Sequence, residues 1–65
     1  MKLDLHGERH SDVERLVENF VLLNEPPLEI ITGNSDMMSR IVETTLNKLN
    51  IGWERWHWGS IKVLK

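Results

Sequence analysis

The chain has no cysteine, only two prolines and one phenylalanine, and no long apolar run. Without cysteine it forms no disulfide and builds no cysteine-ligated zinc site, the two common staples of domains this small. The absence fits a reducing compartment, and a cytoplasmic location is expected. No stretch reaches the roughly 18 apolar residues that a membrane span needs, so no membrane association is expected. The N-terminus opens on a strand pattern rather than a signal peptide. No repeat, linker or low-complexity segment divides the 65 residues, which are expected to form one stand-alone domain, 1–65. A chain of this size buries only about 60% of the surface it exposes when unfolded, so the core is thin.

Strong charge of one sign is also missing. The net charge is −2, which argues against non-specific nucleic-acid binding by the surface as a whole. The distribution is uneven. Residues 1–36 carry three bases against eight acids (3 − 8 = −5), and residues 37–65 carry five against two (5 − 2 = +3). Arg40, Arg55 and Lys62 in the second half are the candidates for a phosphate track.

What is present centres on Leu3-Asp4-Leu5-His6-Gly7. On a strand, Asp4 and His6 share one face, and Leu3 and Leu5 the other. Gly7 permits a sharp turn or close approach of another backbone. A carboxylate and an imidazole at a glycine turn can move protons, hold a metal or contact phosphate. They can equally be the polar end of a strand entering a helix loop.

A helix is predicted over 11–23. Ser11 to Glu14 has the form of a capping box, and Val13, Leu16, Val17, Phe20 and Val21 make an apolar stripe, thickened by Leu22 and Leu23. Pro26-Pro27 stops it. Leu28 to Thr32 reads as a strand, which completes a βαβ unit with a right-handed crossover and parallel strands. A second turn, Gly33-Asn34-Ser35, leads into a helix over 36–49 with Met37, Met38, Ile41, Val42, Leu46 and Leu49 on its apolar side. Asn50 tolerates a left-handed backbone, and Ile51 can fold back on Leu46. Strands are predicted over 53–58 and 61–64, joined by a two-residue turn at Gly59-Ser60. The result is an α+β, two-layer fold, β-α-β-α-β-β, with two helices on one face of a four-stranded mixed sheet.

In such a sheet both strand-to-helix turns emerge at the carboxyl edge, where α/β sheets place ligands. Asp4, His6 and Gly7 therefore meet Thr32, Gly33, Asn34 and Ser35, beside two helix N-termini. This ordered set, with the closing Gly59-Ser60-Ile61-Lys62-Val63-Leu64-Lys65, resembles the small MutS-related (Smr) domain over essentially the whole chain. The resemblance implies a fold like the C-terminal domain of translation initiation factor three, with the last strand antiparallel to the rest. It implies nucleic-acid binding, to RNA or DNA, and endonuclease activity that cleaves RNA or nicks DNA. It also implies larger protein or ribosome-associated partners. The family's acid-x-His pair falls on Asp4 and His6, and its second turn on Thr32 to Ser35. Three positions depart from the family: Ser35 replaces the second glycine of Thr-Gly-x-Gly, Asp36-Met37-Met38 stands where a further histidine is common, and Trp58-Gly59-Ser60 is less glycine-rich.

For cleavage, His6 is the expected general base, because imidazole ordinarily titrates nearest neutral pH. Asp4 would orient the ring or hold a divalent metal ion, and the Gly33 and Asn34 N–H groups would stabilise charge on the phosphate. His10 lies near enough to contribute, or is a solvated loop residue. Trp53, Trp56 and Trp58 offer faces for base stacking, or bulk for a thin core. The alternative function is a non-catalytic docking or self-associating module built on the tryptophan-rich hairpin. A metal-binding regulator using Asp4, His6 and His10 is a third possibility.

Overall fold

The apolar periodicities resolve into two helices and a sheet in the computed structural model, which describes residues 1–64. The elements run β1 (Lys2–Asp4), α1 (His10–Leu23), β2 (Leu28–Ile31), α2 (Asp36–Lys48), β3 (Trp53–Arg55) and β4 (Ser60–Val63). The sheet order is β1-β2-β4-β3, with β1 parallel to β2 and β4 antiparallel to both its neighbours. This is the small α+β, mixed-sheet architecture the patterns predict.

The core forms where the helical stripes meet one face of the sheet. Val13 and Val17 of α1 and Met38, Val42 and Leu46 of α2 pack on Leu5, Leu28, Ile30, Ile61 and Val63. Fully burying one such side chain contributes about 1.5–3 kcal/mol. Leu22 and Leu23 do not thicken the stripe as expected: they are 68% and 80% exposed. At 100° per residue they have rotated past the sheet-facing side by the last turn. Met37 is likewise exposed while Met38 is buried.

The helix ends divide between expectation and correction. The Ser11–Glu14 capping box does not form: α1 starts at His10, its N-cap is Arg9, and no side chain caps it. Glu14 instead pairs with Lys48 at the end of α2. That hydrogen bond and the glutamate's charge raise the Lys48 pKa. At the other end of α2 the expected cap is present. Asn50 has φ +60°, and the Asn50 and Ile51 N–H groups donate to the Asn47 and Leu46 carbonyls at 3.1 and 2.9 Å, the pattern of a Schellman motif.

The predicted strand over 53–58 ends early, at Arg55. The Ser60 N–H donates to the His57 carbonyl at 3.0 Å and the Trp56 N–H to the Ser60 carbonyl at 3.2 Å. The connection is therefore a four-residue loop, Trp56 to Gly59, rather than a two-residue turn. The tryptophans separate accordingly. Trp53 is half-buried, its indole N–H donating to Asn47 Oδ1 at 2.9 Å, whereas Trp56 and Trp58 are carried out on the loop.

Candidate nucleic-acid interface

Because β1 and β2 are parallel neighbours, their carboxyl ends lie side by side. The Leu5 N–H donates to the Ile31 carbonyl at 2.9 Å, one residue beyond the strand, and so carries the two turns forward together.

The first turn is local. Glu8 N–H donates to the Leu5 carbonyl at 3.0 Å, with Gly7 at φ +82°. A Cβ at Gly7 would meet nothing within 4 Å, so the glycine is there for its backbone angle rather than for close approach. Asp4 Oδ1 accepts the His6 backbone N–H at 2.9 Å. This Asx-type bond means that the carboxylate meets the amide of His6, not its ring. His6 lies past the strand end with an exposed side chain, and Asp4 holds the turn that presents it.

The second turn is tertiary. Gly33, at φ +69°, lies against Gly59 of the β3–β4 loop, and a Cβ on Gly59 would stand 2.9 Å from the Gly33 carbonyl oxygen. The Gly59 carbonyl accepts from the Thr32 N–H (2.7 Å), the Gly33 N–H (3.0 Å) and the Thr32 hydroxyl (3.1 Å). Ser39 Oγ donates to Thr32 Oγ1 at 3.1 Å. The Gly33 N–H is thus committed within the fold, which corrects the expectation that it faces a phosphate. Ser35 caps α2: its Oγ accepts the Met38 N–H at 3.1 Å.

A cleft of about 330 Å³ opens between the second turn and the β3–β4 loop, walled by Thr32, Ser39, Arg55, Trp56, His57 and Trp58. It continues into a smaller recess that includes Asn34 and Ser35. Trp58 is 87% exposed and Trp56 47% exposed. The His57 ring meets the Trp56 ring edge-on at 5.0 Å. Arg55 donates to Glu43 Oε2 of α2 at 2.8 Å, leaving most of its side chain in solvent.

The expected site residues therefore fall into separate groups. Thr32, Gly33, Asn34, Ser35 and Arg55 line the cleft or its recess. Asp4, His6 and Gly7 occupy the neighbouring turn and line neither. His10 is the exposed first residue of α1. Arg40 borders a groove with Glu14, Ile41 and Lys48, and the Lys62 ammonium stands over the Trp56 ring, 4.4 Å from its centroid. Arg55 and Lys62 come from opposite faces of the sheet, so these three bases do not line one track. Among the described residues no group of three or more His, Asp or Glu is placed to hold a metal ion, and no helix is long and apolar enough to cross a membrane. Sequence reasoning overlooked Ser39 and Glu43. Their signal was position: one is a turn inside the helix that follows Gly33, the other one turn further along.

No family model, curated protein or solved structure matches the chain.

Proposed function

We propose that the chain is a nucleic-acid-binding domain that takes single-stranded RNA or DNA across the cleft between the second turn and the β3–β4 loop. The observation that carries this reading is Trp58, 87% exposed on a loop that is locked in place by the Gly33–Gly59 contact. An indole held out in water on a fixed loop, at the same cleft as His57, Trp56 and Arg55, is a stacking platform beside a cation, and stacking contributes about 1–3 kcal/mol per base. Duplex, with its bases already stacked, gains little from such a platform.

Arg55 is the base at this cleft, so the electrostatic share is small. Neutralising one phosphate of a single strand gives a salt slope of roughly −0.7, against about three times that for the dispersed Arg40, Arg55 and Lys62 acting together. Titrating a labelled single-stranded oligonucleotide at several salt concentrations tests the reading. Trp58→Ala should weaken binding at least about 5-fold, the lower end of one lost stack, and Arg55→Ala should flatten the slope. Unchanged affinity for Trp58→Ala would remove the proposal.

Cleavage is assigned to His6. Its imidazole would take the proton of a ribose 2′-hydroxyl, O2′ would attack the adjacent phosphorus, and the 5′-oxygen would leave with a proton from water, giving a 2′,3′-cyclic phosphate. Asp4 acts in this scheme as a positioning residue. His6→Ala should lower the cleavage rate by about 100-fold or more with binding retained. If wild-type protein cleaves neither RNA nor DNA, with or without a divalent metal ion, the activity reduces to binding. A second reading, a docking site for a larger protein, is favoured by the scarcity of cations at the cleft. Trp58-dependent binding of a protein that an oligonucleotide does not displace would select it.

A further inference from the structure

The helices cover one face of the sheet and leave the other open, and the strand register writes a regular charge pattern across that open face. Lys2 of β1 is opposite Glu29 of β2, Glu29 is opposite Lys62 of β4, and Lys62 is opposite Glu54 of β3. Cross-strand partners point to the same side, and their neighbours Leu3, Ile30, Ile61 and Val63 pack in the core or against it. The open face therefore carries the row Lys2–Glu29–Lys62–Glu54, straight across all four strands. Opposite charges in such positions usually pair. Here none of the four is in an ion pair among the described residues; the Lys62 ammonium stands instead over the face of the Trp56 ring.

We propose that this face docks a second copy of the chain, sheet to sheet, about a two-fold axis running along the strands between β2 and β4. A face-to-face pair requires its axis in the interface plane. An axis along the strands reverses the row, so Lys2 faces Glu54 of the second copy and Glu29 faces its Lys62, giving four opposite-charge contacts. An axis across the strands sets each residue against itself and is repulsive. In the next row Asp4 faces Trp56 of the second copy and Ile31 faces its Ser60, with no like charges opposed. The chain measures 24 × 23 × 19 Å, so one side holds about a sixth of its 4470 Å² surface, or roughly 750 Å², close to the about 800 Å² per partner of a standard interface. Complementary charges set orientation more than affinity, so the dimer is weak and salt-sensitive. The dimer does not depend on nucleic-acid binding: of the open-face residues named, Trp56 and Ser60 alone also border the cleft.

Sedimentation equilibrium at low salt, over roughly 10 μM to 1 mM, the range of weak association, tests it. Wild-type protein should move towards the dimer mass and return to monomer in 1 M salt, where the screening length is about 3 Å. Lys62→Glu alone sets two glutamates against each other and should be monomeric, as should Glu29→Lys, which opposes two lysines. An equimolar mixture of the two variants restores every opposite-charge contact and should dimerise. If either central variant melts early, Lys2→Glu and Glu54→Lys provide the same test from the exposed edge strands. Wild-type protein that stays monomeric, single variants that dimerise like wild type, or a mixture of folded variants that stays monomeric would each overturn the proposal.

Discussion

The two glycine turns at the carboxyl edge occupy equivalent places in successive strand–helix units, yet they are held by different forces. The turn at Gly7 is stabilised within five residues, by the Glu8 to Leu5 hydrogen bond and the Asp4 carboxylate. The turn at Gly33 is stabilised from 26 residues away, by the carbonyl of Gly59 and by a contact that leaves no room for a side chain. A locally closed turn presents its side chains to solvent but builds no wall. A turn clasped by a distant loop makes a cleft, and fixes the loop's exposed aromatics in front of it. The difference explains why the cleft lies at the second turn while the acid-x-His pair stands outside it.

Glycine replacement separates the two most sharply. Gly59→Ala combines a φ of +83° with a 2.9 Å approach to backbone and should cost about 2–4 kcal/mol. Gly7→Ala meets the angular penalty alone, about 1–2 kcal/mol. Urea unfolding of both variants checks the order, and equal losses would mean that the clasp contributes little. Next in size is Thr32→Val, which removes the buried hydroxyl between Gly59 and Ser39. It should lower stability by about 1–2 kcal/mol and, by loosening the loop, broaden the amide resonances of residues 56–59. The smallest effect belongs to the local turn. Asp4→Ala should cost about 0.5–1 kcal/mol for one exposed hydrogen bond, and Asp4→Asn, whose amide oxygen still accepts the His6 N–H, close to nothing. A loss on Asp4→Asn comparable to that of Thr32→Val would give the carboxylate's charge a role that the turn geometry does not.

The same contrast marks what could be read from the sequence. Elements whose residues carry their own pattern or backbone preference were legible: both helices, the four strands in their order, and the Asn50–Ile51 cap. Ser11 to Glu14 has the local form of a capping box, but Glu14 finds a better partner in Lys48, 34 residues on, and no local pattern records that. Trp53 to Trp58 keeps a strand-like alternation, yet pairing with β4 stops at Arg55, where the Ser60 to His57 hydrogen bond closes the loop. The side-by-side placement of the β1 and β2 carboxyl ends followed from parallel pairing. The Gly33–Gly59 clasp did not, because a backbone-to-backbone contact between distant glycines leaves no side-chain signature. The separation of Arg40, Arg55 and Lys62 likewise follows from which face of its element each occupies, and a charge count carries no such information.

Whether the cleft takes a single strand is read by following backbone amide and indole N–H resonances while a short single-stranded oligonucleotide is titrated into the protein. If a single strand lies across the cleft, shifts concentrate at Asn34, Arg55, His57 and the Trp58 indole, with weaker changes at His6 and none along the Arg40 side of α2. Shifts confined to the helices or to the Lys2–Glu29–Lys62 face, or no shifts at saturating oligonucleotide, would contradict it.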